Sequence, residues 1–210
     1  MRNSARCVII GGAGIADYGL IRGYIREDDY VIYCDSGLRH MEGLGAAPSL
    51  IVGDFDSHED PRMDVETITL PVAKDDTDTV YAAKEGIERG YTEFLILGAI
   101  GERFDHSLVN AYMLVMLADR GCRGTVIDDY SEMELIREGQ TACVSDSFPF
   151  FSLLALEGPA KGVTIKGAKF CIEDAEIAPA YQYATSNEVV PGTEARITVK
   201  EGSLLLIKDR

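Results

Sequence analysis

With 210 residues, 46% of them apolar, the chain is long enough for one large domain or two small ones and apolar enough to bury a core, which excludes a disordered protein. A formal net charge of −15 excludes a bare nucleic-acid-binding surface, and most of the acidic excess reads as a solvated, solubilising face. The five cysteines (Cys7, Cys34, Cys122, Cys143 and Cys171) are scattered without a Cys-x-x-Cys pair, so neither a zinc site nor a disulfide framework is expected.

The start, Met1 to Gly12, has no long apolar region with a cleavage site, and no later run is long enough to span a bilayer. A cytoplasmic protein with no membrane partner and no nucleic-acid partner is therefore expected. Arg6-Cys7-Val8-Ile9-Ile10 reads as a first buried strand and Gly11-Gly12-Ala13-Gly14 as the tight turn after it, with Tyr18, Ile21 and Ile25 then recurring at helical spacing. Gly12-x-Gly14 nearly matches a dinucleotide fingerprint, but Asp17 stands at the third glycine position. The turn either cradles a phosphate or only joins strand to helix.

Tyr30 to Cys34 is a second strand, ending in Asp35-Ser36-Gly37; Leu50 to Val52 is a third and Val65 to Leu70 a fourth. The helix after Asp78 carries Val80, Ala83 and Ile87 along one face. Glu93 to Leu97 makes a fifth strand, and a long helix follows with Leu108, Tyr112, Val115 and Leu117 on its apolar side, ending near Gly121. Strands alternating with helices imply a parallel sheet with helices on both faces, a Rossmann-like α/β domain whose ligands bind beyond the carboxyl ends of the strands. After about Gly124 short apolar runs appear, at Val126-Ile127, Met133 to Ile136, Phe150 to Leu156, Gly162 to Ile165, Lys169 to Ile172, Ala195 to Val199 and Ser203 to Ile207. With no helical pattern between them they read as an all-β sandwich or barrel. The division is placed at residues 1–125 for the α/β domain and 126–210 for the β domain.

Between Ile51 and Asp78 the chain gathers carboxylates in two tight groups, Gly53-Asp54-Phe55-Asp56-Ser57 and Lys74-Asp75-Asp76-Thr77-Asp78. In an extended segment Asp54 and Asp56 share one side, and the second group lies where a helix begins. Any one of these aspartates could serve only as a turn or helix-capping residue. Together they exceed what capping requires, and carboxylates this close must protonate, stay solvated or hold a cation. An all-oxygen donor set suits a hard divalent ion, Mg²⁺ in particular when phosphate supplies further ligands. The glycine-bracketed stretch Gly98 to His106 adds Arg103, whose planar guanidinium suits phosphate oxygens or a surface ion pair. In the same stretch Asp105 is a credible helix N-cap, and His106 and Asn110 lie one turn apart on the same helix face. His40 and His58 carry no signal. There is no Walker-type P-loop, no Gly-x-Ser-x-Gly elbow and no His-Glu-x-x-His, which leaves metal-assisted chemistry on a phosphoryl group.

In this order, Asp35-Ser36-Gly37, Gly53-Asp54-Phe55-Asp56-Ser57, Lys74-Asp75-Asp76-Thr77-Asp78 and Gly98-x-x-Gly101-x-Arg103-x-Asp105-His106 resemble thiamine pyrophosphokinase. Ser152 to Leu156, Gly158-Pro159, Lys161 to Thr164 and Thr185-Ser186-Asn187 extend the likeness over nearly the whole chain. The resemblance implies an enzyme that moves a pyrophosphoryl group from ATP to the hydroxyl of thiamine, giving thiamine diphosphate and AMP. It also implies a homodimer whose thiamine site lies where the β domain of one subunit meets the α/β domain of the other. Carried onto this chain, Asp54, Asp56, Asp75 and Asp78 hold Mg²⁺ and the triphosphate; Asp35, Ser57 and Thr77 accompany them. Arg103 and the turn from Gly98 to Gly101 serve ATP, with Asp105 and His106 beside them, and Ser186 and Asn187 line the thiamine pocket. Rival readings are a Mg²⁺-dependent phosphohydrolase with water as acceptor and a non-catalytic nucleotide or thiamine sensor.

Overall fold

Runs of four or five apolar residues make strands that are buried on both sides, and the first half of the chain is built from them. The computed structural model describes residues 6–55, 63–71, 75–101 and 103–210. Two compact units divide the chain, Met1–Asp129 and Tyr130–Arg210.

In the first unit, strands β1 (Cys7–Ile10), β2 (Tyr30–Cys34), β3 (Leu50–Gly53), β4 (Thr67–Thr69), β5 (Glu93–Leu97) and β6 (Arg123–Ile127) pair in parallel in the order β4-β3-β2-β1-β5-β6. The chain winds one way from β1 to β4 and the other way from β5 to β6, so its direction of travel reverses between β1 and β5. Val8, Ile10, Val31, Tyr33, Leu95 and Leu97 face one side, where Ile21 of α1 (Tyr18–Arg22) and Leu44 of α2 (Met41–Leu44) complete a buried cluster. The opposite side is covered by α3 (Asp78–Glu88), whose Gly86 lies against Cys7 and Phe94, and by α4 (Phe104–Asp119), whose Leu114 and Leu117 lie against Gly124. Helices thus cover both faces, as alternation of the elements requires.

Two readings of this half need correction. The buried face of α4 is Asn110, Met113, Leu114 and Leu117, whereas Leu108 and Tyr112 are each 43% exposed. The helix is apolar nearly all the way round, so spacing alone does not choose its inner face. Val126 and Ile127 belong to β6, which pairs with β5, and so they close the parallel sheet rather than open the β half.

In the second unit every described regular element is a strand: β7 (Ser131–Arg137), β8 (Thr141–Ser145), β9 (Phe150–Leu154), β10 (Ala160–Lys166), β11 (Ile172–Ile177), β12 (Glu194–Thr198) and β13 (Ser203–Asp209). They pair antiparallel in two sets, β7-β13-β9 and β11-β10-β12-β8. Phe151, Leu153, Leu204 and Leu206 from the first set and Val144, Val163, Ile165 and Ile197 from the second fill one core. Between a sandwich and a barrel, the fold is the sandwich.

Candidate active site

The carboxyl ends of β1, β2, β3 and β5 open into a cleft of about 530 Å³, beside the point where the direction of winding reverses. That is where parallel sheets place their ligands, because the loops on either side of the reversal diverge. Gly11, Gly12 and Ala13 line it after β1, Asp35 and Ser36 after β2, and Asp54 after β3. The start of α3 contributes Asp75, Asp76, Asp78 and the two threonines Thr77 and Thr79. Gly98, Ala99 and Gly101 close the floor after β5, and Arg103, His106, Ser107 and Asn110 come from the neighbourhood of α4. Asp56 and Ser57, both assigned to the site by sequence, lie outside the described residues, as does Lys74.

The floor is backbone against backbone. The amide of Gly11 donates to the carbonyl of Leu97 at 2.8 Å, and that of Ala13 to the carbonyl of Gly98 at 2.8 Å. A Cβ on Gly98 would stand 2.5 Å from the carbonyl oxygen of Gly11, and φ at Gly98 is +57°, so only glycine suits the position. Two non-glycine residues beside the cleft also adopt left-handed backbone, Asp35 (φ 35°) and Phe55 (φ 53°). Such conformations cost on the order of 1–3 kcal/mol each and persist where the surroundings impose them, typically at functional sites.

Asp35, Asp54, Asp75 and Asp78 therefore meet in one cleft although they come from three separate segments. Asp76 is diverted: both its oxygens accept from Lys84 Nζ, at 2.6 and 2.8 Å. Thr77 is the N-cap of α3, its Oγ1 accepting from the amide of Val80 at 3.4 Å. Among the described residues no three acidic, histidine or cysteine side chains stand close enough to cage a metal unaided. The cleft nonetheless brings the carboxylates of Asp35, Asp54, Asp75 and Asp78 together with glycine turns that carry no side chain to crowd a ligand. That donor set fits a hard cation which draws its remaining ligands from phosphate and water.

Arg103 lines the cleft and is ion-paired to Asp105 in a two-pronged arrangement, Nε to Oδ1 at 3.0 Å and Nη2 to Oδ2 at 2.6 Å. Hydrogen bonds from this guanidinium hold the Asp105 carboxyl well below the usual carboxylate range. Asp105 is not the N-cap of α4, as its position in the sequence suggested. Arg103 occupies that place without a side-chain cap, and Asp105 sits within the first turn, where a negative charge also suits the helix dipole. His106 lines the cleft one turn before Asn110, as expected from their spacing.

Sequence reasoning passed over His40. Its ring is buried beneath the β1 turn, with Nε2 2.9 Å from the carbonyl of Ala13 and Nδ1 2.8 Å from the Tyr18 hydroxyl. The Ala13 carbonyl can only accept, and at 2.9 Å it outweighs the 3.4 Å approach of Arg39 Nε to the same ring nitrogen, so Nε2 carries the proton and Nδ1 accepts from Tyr18. The imidazole thus clamps the glycine turn in its neutral form, and burial lowers its pKa from the ordinary 6.5, the Ala13 carbonyl opposing and Arg39 assisting. The unfolded chain takes up a proton near pH 6.5 that the folded chain resists. The clamp's contribution to stability is therefore complete above pH 6.5 and shrinks as pH falls below it. Melting temperature should drop more between pH 7.5 and 5.5 in the natural chain than in His40→Gln, and equal drops would remove His40 as the cause.

In the second unit, Ser186 adopts left-handed backbone (φ 54°) and its amide donates to Ser152 Oγ at 3.1 Å. Asn187 is buried, and its amide group spans the backbone of Phe170: Oδ1 accepts from the Phe170 amide at 3.0 Å and Nδ2 donates to the Phe170 carbonyl at 2.8 Å. Asn187 thereby orders the bend that leaves the Phe170 ring 58% exposed.

Two family models match the sequence, "Thiamin pyrophosphokinase, catalytic domain" over residues 21–126 and "Thiamin pyrophosphokinase, vitamin B1 binding domain" over residues 138–204. Comparison with curated proteins finds no match. Among solved structures, thiamine pyrophosphokinase from Bacillus subtilis is similar at a TM-score of 0.86 and 20% identity, covering 97% of this chain and 98% of that one. Thiamin pyrophosphokinase from Geobacillus thermodenitrificans is similar at 0.84 and 23% identity, over 98% of this chain and 97% of that one. The yeast enzyme is similar at 0.79 and 13% identity, over all of this chain and 88% of its own. At these identities the structures establish a shared fold, and the family models carry the assignment. One model falls within the parallel unit and the other within the sandwich, and the chain belongs to the thiamin pyrophosphokinase family.

Proposed function

We propose that the chain transfers a pyrophosphoryl group from ATP to the hydroxyl of thiamine, giving thiamine diphosphate and AMP, with the triphosphate lying in the cleft at the ends of β1, β2, β3 and β5. The observation that carries this reading is the convergence of Asp54, Asp75 and Asp78 opposite the glycine turns after β1 and β5, in a member of this family. The first unit then acts as a Rossmann-like nucleotide-binding layer. Asp54, Asp75 and Asp78, together with Asp56, are the residues that would hold Mg²⁺, with Asp35 beside them. When bound, the ion offsets the negative charge of phosphates and carboxylates that would otherwise repel each other.

The chain's own groups do the rest. The uncrowded glycine turn and the positive end of α3 receive the phosphates. Arg103 is exposed and its partner Asp105 equally so; exposed ion pairs are weak, so the guanidinium exchanges a carboxylate for phosphate oxygens at little cost. One carboxylate, Asp78 or Asp56, accepts the proton of the thiamine hydroxyl. Ser186 and the bend ordered by Asn187 belong to the thiamine pocket.

Phe104, Leu108 and Tyr112 lie in sequence steps of four on α4, and all three are exposed in the single chain. Such a stripe supports a homodimer, which sedimentation at single-chain mass would rule out. None of the five cysteines is in a disulfide, which suits a cytoplasmic location. No described helix is long and apolar enough to cross a membrane.

The decisive assay supplies ATP and Mg²⁺ with and without thiamine. AMP and thiamine diphosphate should form in equal amounts and only when thiamine is present, and EDTA should stop both. AMP or phosphate release independent of thiamine would instead favour the hydrolase reading, and binding without turnover would favour the sensor.

A further inference from the structure

Asn110 is 5% exposed, an amide in the middle of a helix whose other buried residues are apolar. A buried amide is costly unless each of its groups finds a partner, and asparagine is a poor helix former, so packing alone does not explain its presence. Its partners come from two other elements. Thr79 Oγ1, in the first turn of α3, donates to Oδ1 at 2.7 Å, and Nδ2 donates to the carbonyl of Ala99 in the turn after β5 at 2.8 Å. Reversing the amide would set its oxygen against the Ala99 carbonyl, so the orientation is fixed.

The direction of the neighbouring bonds follows. Thr79 has one hydroxyl proton and commits it to Asn110. The 3.2 Å contact between Thr77 Oγ1 and Thr79 Oγ1 is therefore donated by Thr77, which in turn accepts from the amide of Val80. One unbroken chain runs Val80 amide, Thr77, Thr79, Asn110, Ala99 carbonyl. The Thr79 methyl lies beside Gly11, where an added Cβ would come within 3.2 Å of it. Thr79 thus touches the start of α3, the turn after β1 and, through Asn110, the turn after β5.

We infer that Thr79 and Asn110 are positioning residues, which set the distance between the carboxylates at the head of α3 and the glycine turns that receive the polyphosphate. The inference rests on the reading of the cleft given above. A polyphosphate seated at one end on the glycine turns and at the other on a carboxylate-bound ion is stretched or slack if α3 shifts along its axis, and misalignment near 1 Å costs roughly 10²-fold in rate.

Thr79→Val is nearly isosteric and removes only the hydroxyl, while Thr79→Ser keeps it. Asn110→Leu is a blunter tool, since it leaves the Ala99 carbonyl without its donor inside the protein. Thr79→Val should lower kcat on the order of 30- to 100-fold with KM for thiamine within about twofold, and Thr79→Ser should restore most of the lost turnover. Thr79→Ser should melt within a few degrees of the natural chain, while Thr79→Val, which leaves the Asn110 oxygen without its donor, should melt roughly 2–12 °C lower, and turnover is compared well below both melting temperatures. Full turnover in Thr79→Val, or equal losses in Thr79→Val and Thr79→Ser, would overturn the positioning role. A natural chain that forms no AMP from ATP and thiamine would overturn the reading of the cleft itself, a result visible before any variant is made.

Discussion

Replacing Asp54 or Asp78 with asparagine should lower thiamine diphosphate synthesis by two to three orders of magnitude while the protein stays folded. Asparagine keeps the shape of the side chain but removes its charge and turns an amino group toward the cation and phosphates. A metal-held carboxylate at a phosphoryl centre is worth several kcal/mol in the transition state, and each ~1.4 kcal/mol is a factor of ten in rate, which sets the size of the expected loss. Folding should be spared because both side chains face the cleft rather than a core, and because removing one of several neighbouring negative charges relieves repulsion. The melting temperature should hold or rise slightly, and the Mg²⁺ concentration for half-maximal rate should increase. Asp76→Asn is the internal control: its carboxylate is taken by Lys84 in a half-buried pair, so turnover should fall by no more than about threefold. Near-normal turnover in both Asp54→Asn and Asp78→Asn would remove these residues from the chemistry.

What the sequence made legible depended on whether a feature is local. Runs such as Cys7 to Ile10 and Glu93 to Leu97 read as buried strands because burial on both faces leaves no polar alternation. The acidic groups stood out because capping cannot account for their number. β8 was missed because only Val144 of Thr141–Ser145 is fully buried, so alternation is nearly invisible there. β11 was placed too early because Ile172–Ile177 is an edge strand carrying Glu173, Asp174 and Glu176, and acidic edges resist pairing with other chains while hiding the strand pattern. The same distinction separates the parts of the site. Asp54 and Asp78 announce themselves by type. The importance of Thr79 and Asn110 exists only once residues 31 positions apart are brought together, and that of His40 only once Ala13, 27 positions away, lies above its ring. Such relations leave no periodic trace in one sequence.

Substituting alanine for Gly98 should damage both stability and activity, and its companion Gly90→Ala separates the two causes. Both glycines have positive φ, +57° at Gly98 and +91° at Gly90, so each substitution carries the backbone penalty of a left-handed L-residue, roughly 1–2 kcal/mol. They differ in what the new methyl meets. At Gly90 there is nothing within 4 Å, whereas at Gly98 the Cβ would stand 2.5 Å from the Gly11 carbonyl oxygen and 3.3 Å from that of Ala13. Backbone oxygens cannot turn aside as a side chain can, so the turns after β1 and β5 must part. Overpacking of this kind adds about 1–3 kcal/mol. For a chain of 210 residues the Gly90→Ala melting temperature should fall by roughly 2–8 °C and that of Gly98→Ala by roughly 4–20 °C. Turnover should divide them more sharply. Gly90→Ala leaves the cleft untouched, while Gly98→Ala strains the bond from the Ala13 amide to the Gly98 carbonyl and moves the turn that faces the phosphates. A Gly98→Ala protein that melts and turns over like Gly90→Ala would mean that the close approach of the two turns is incidental to the site; a larger loss of kcat, measured below both melting temperatures, would assign that approach to catalysis.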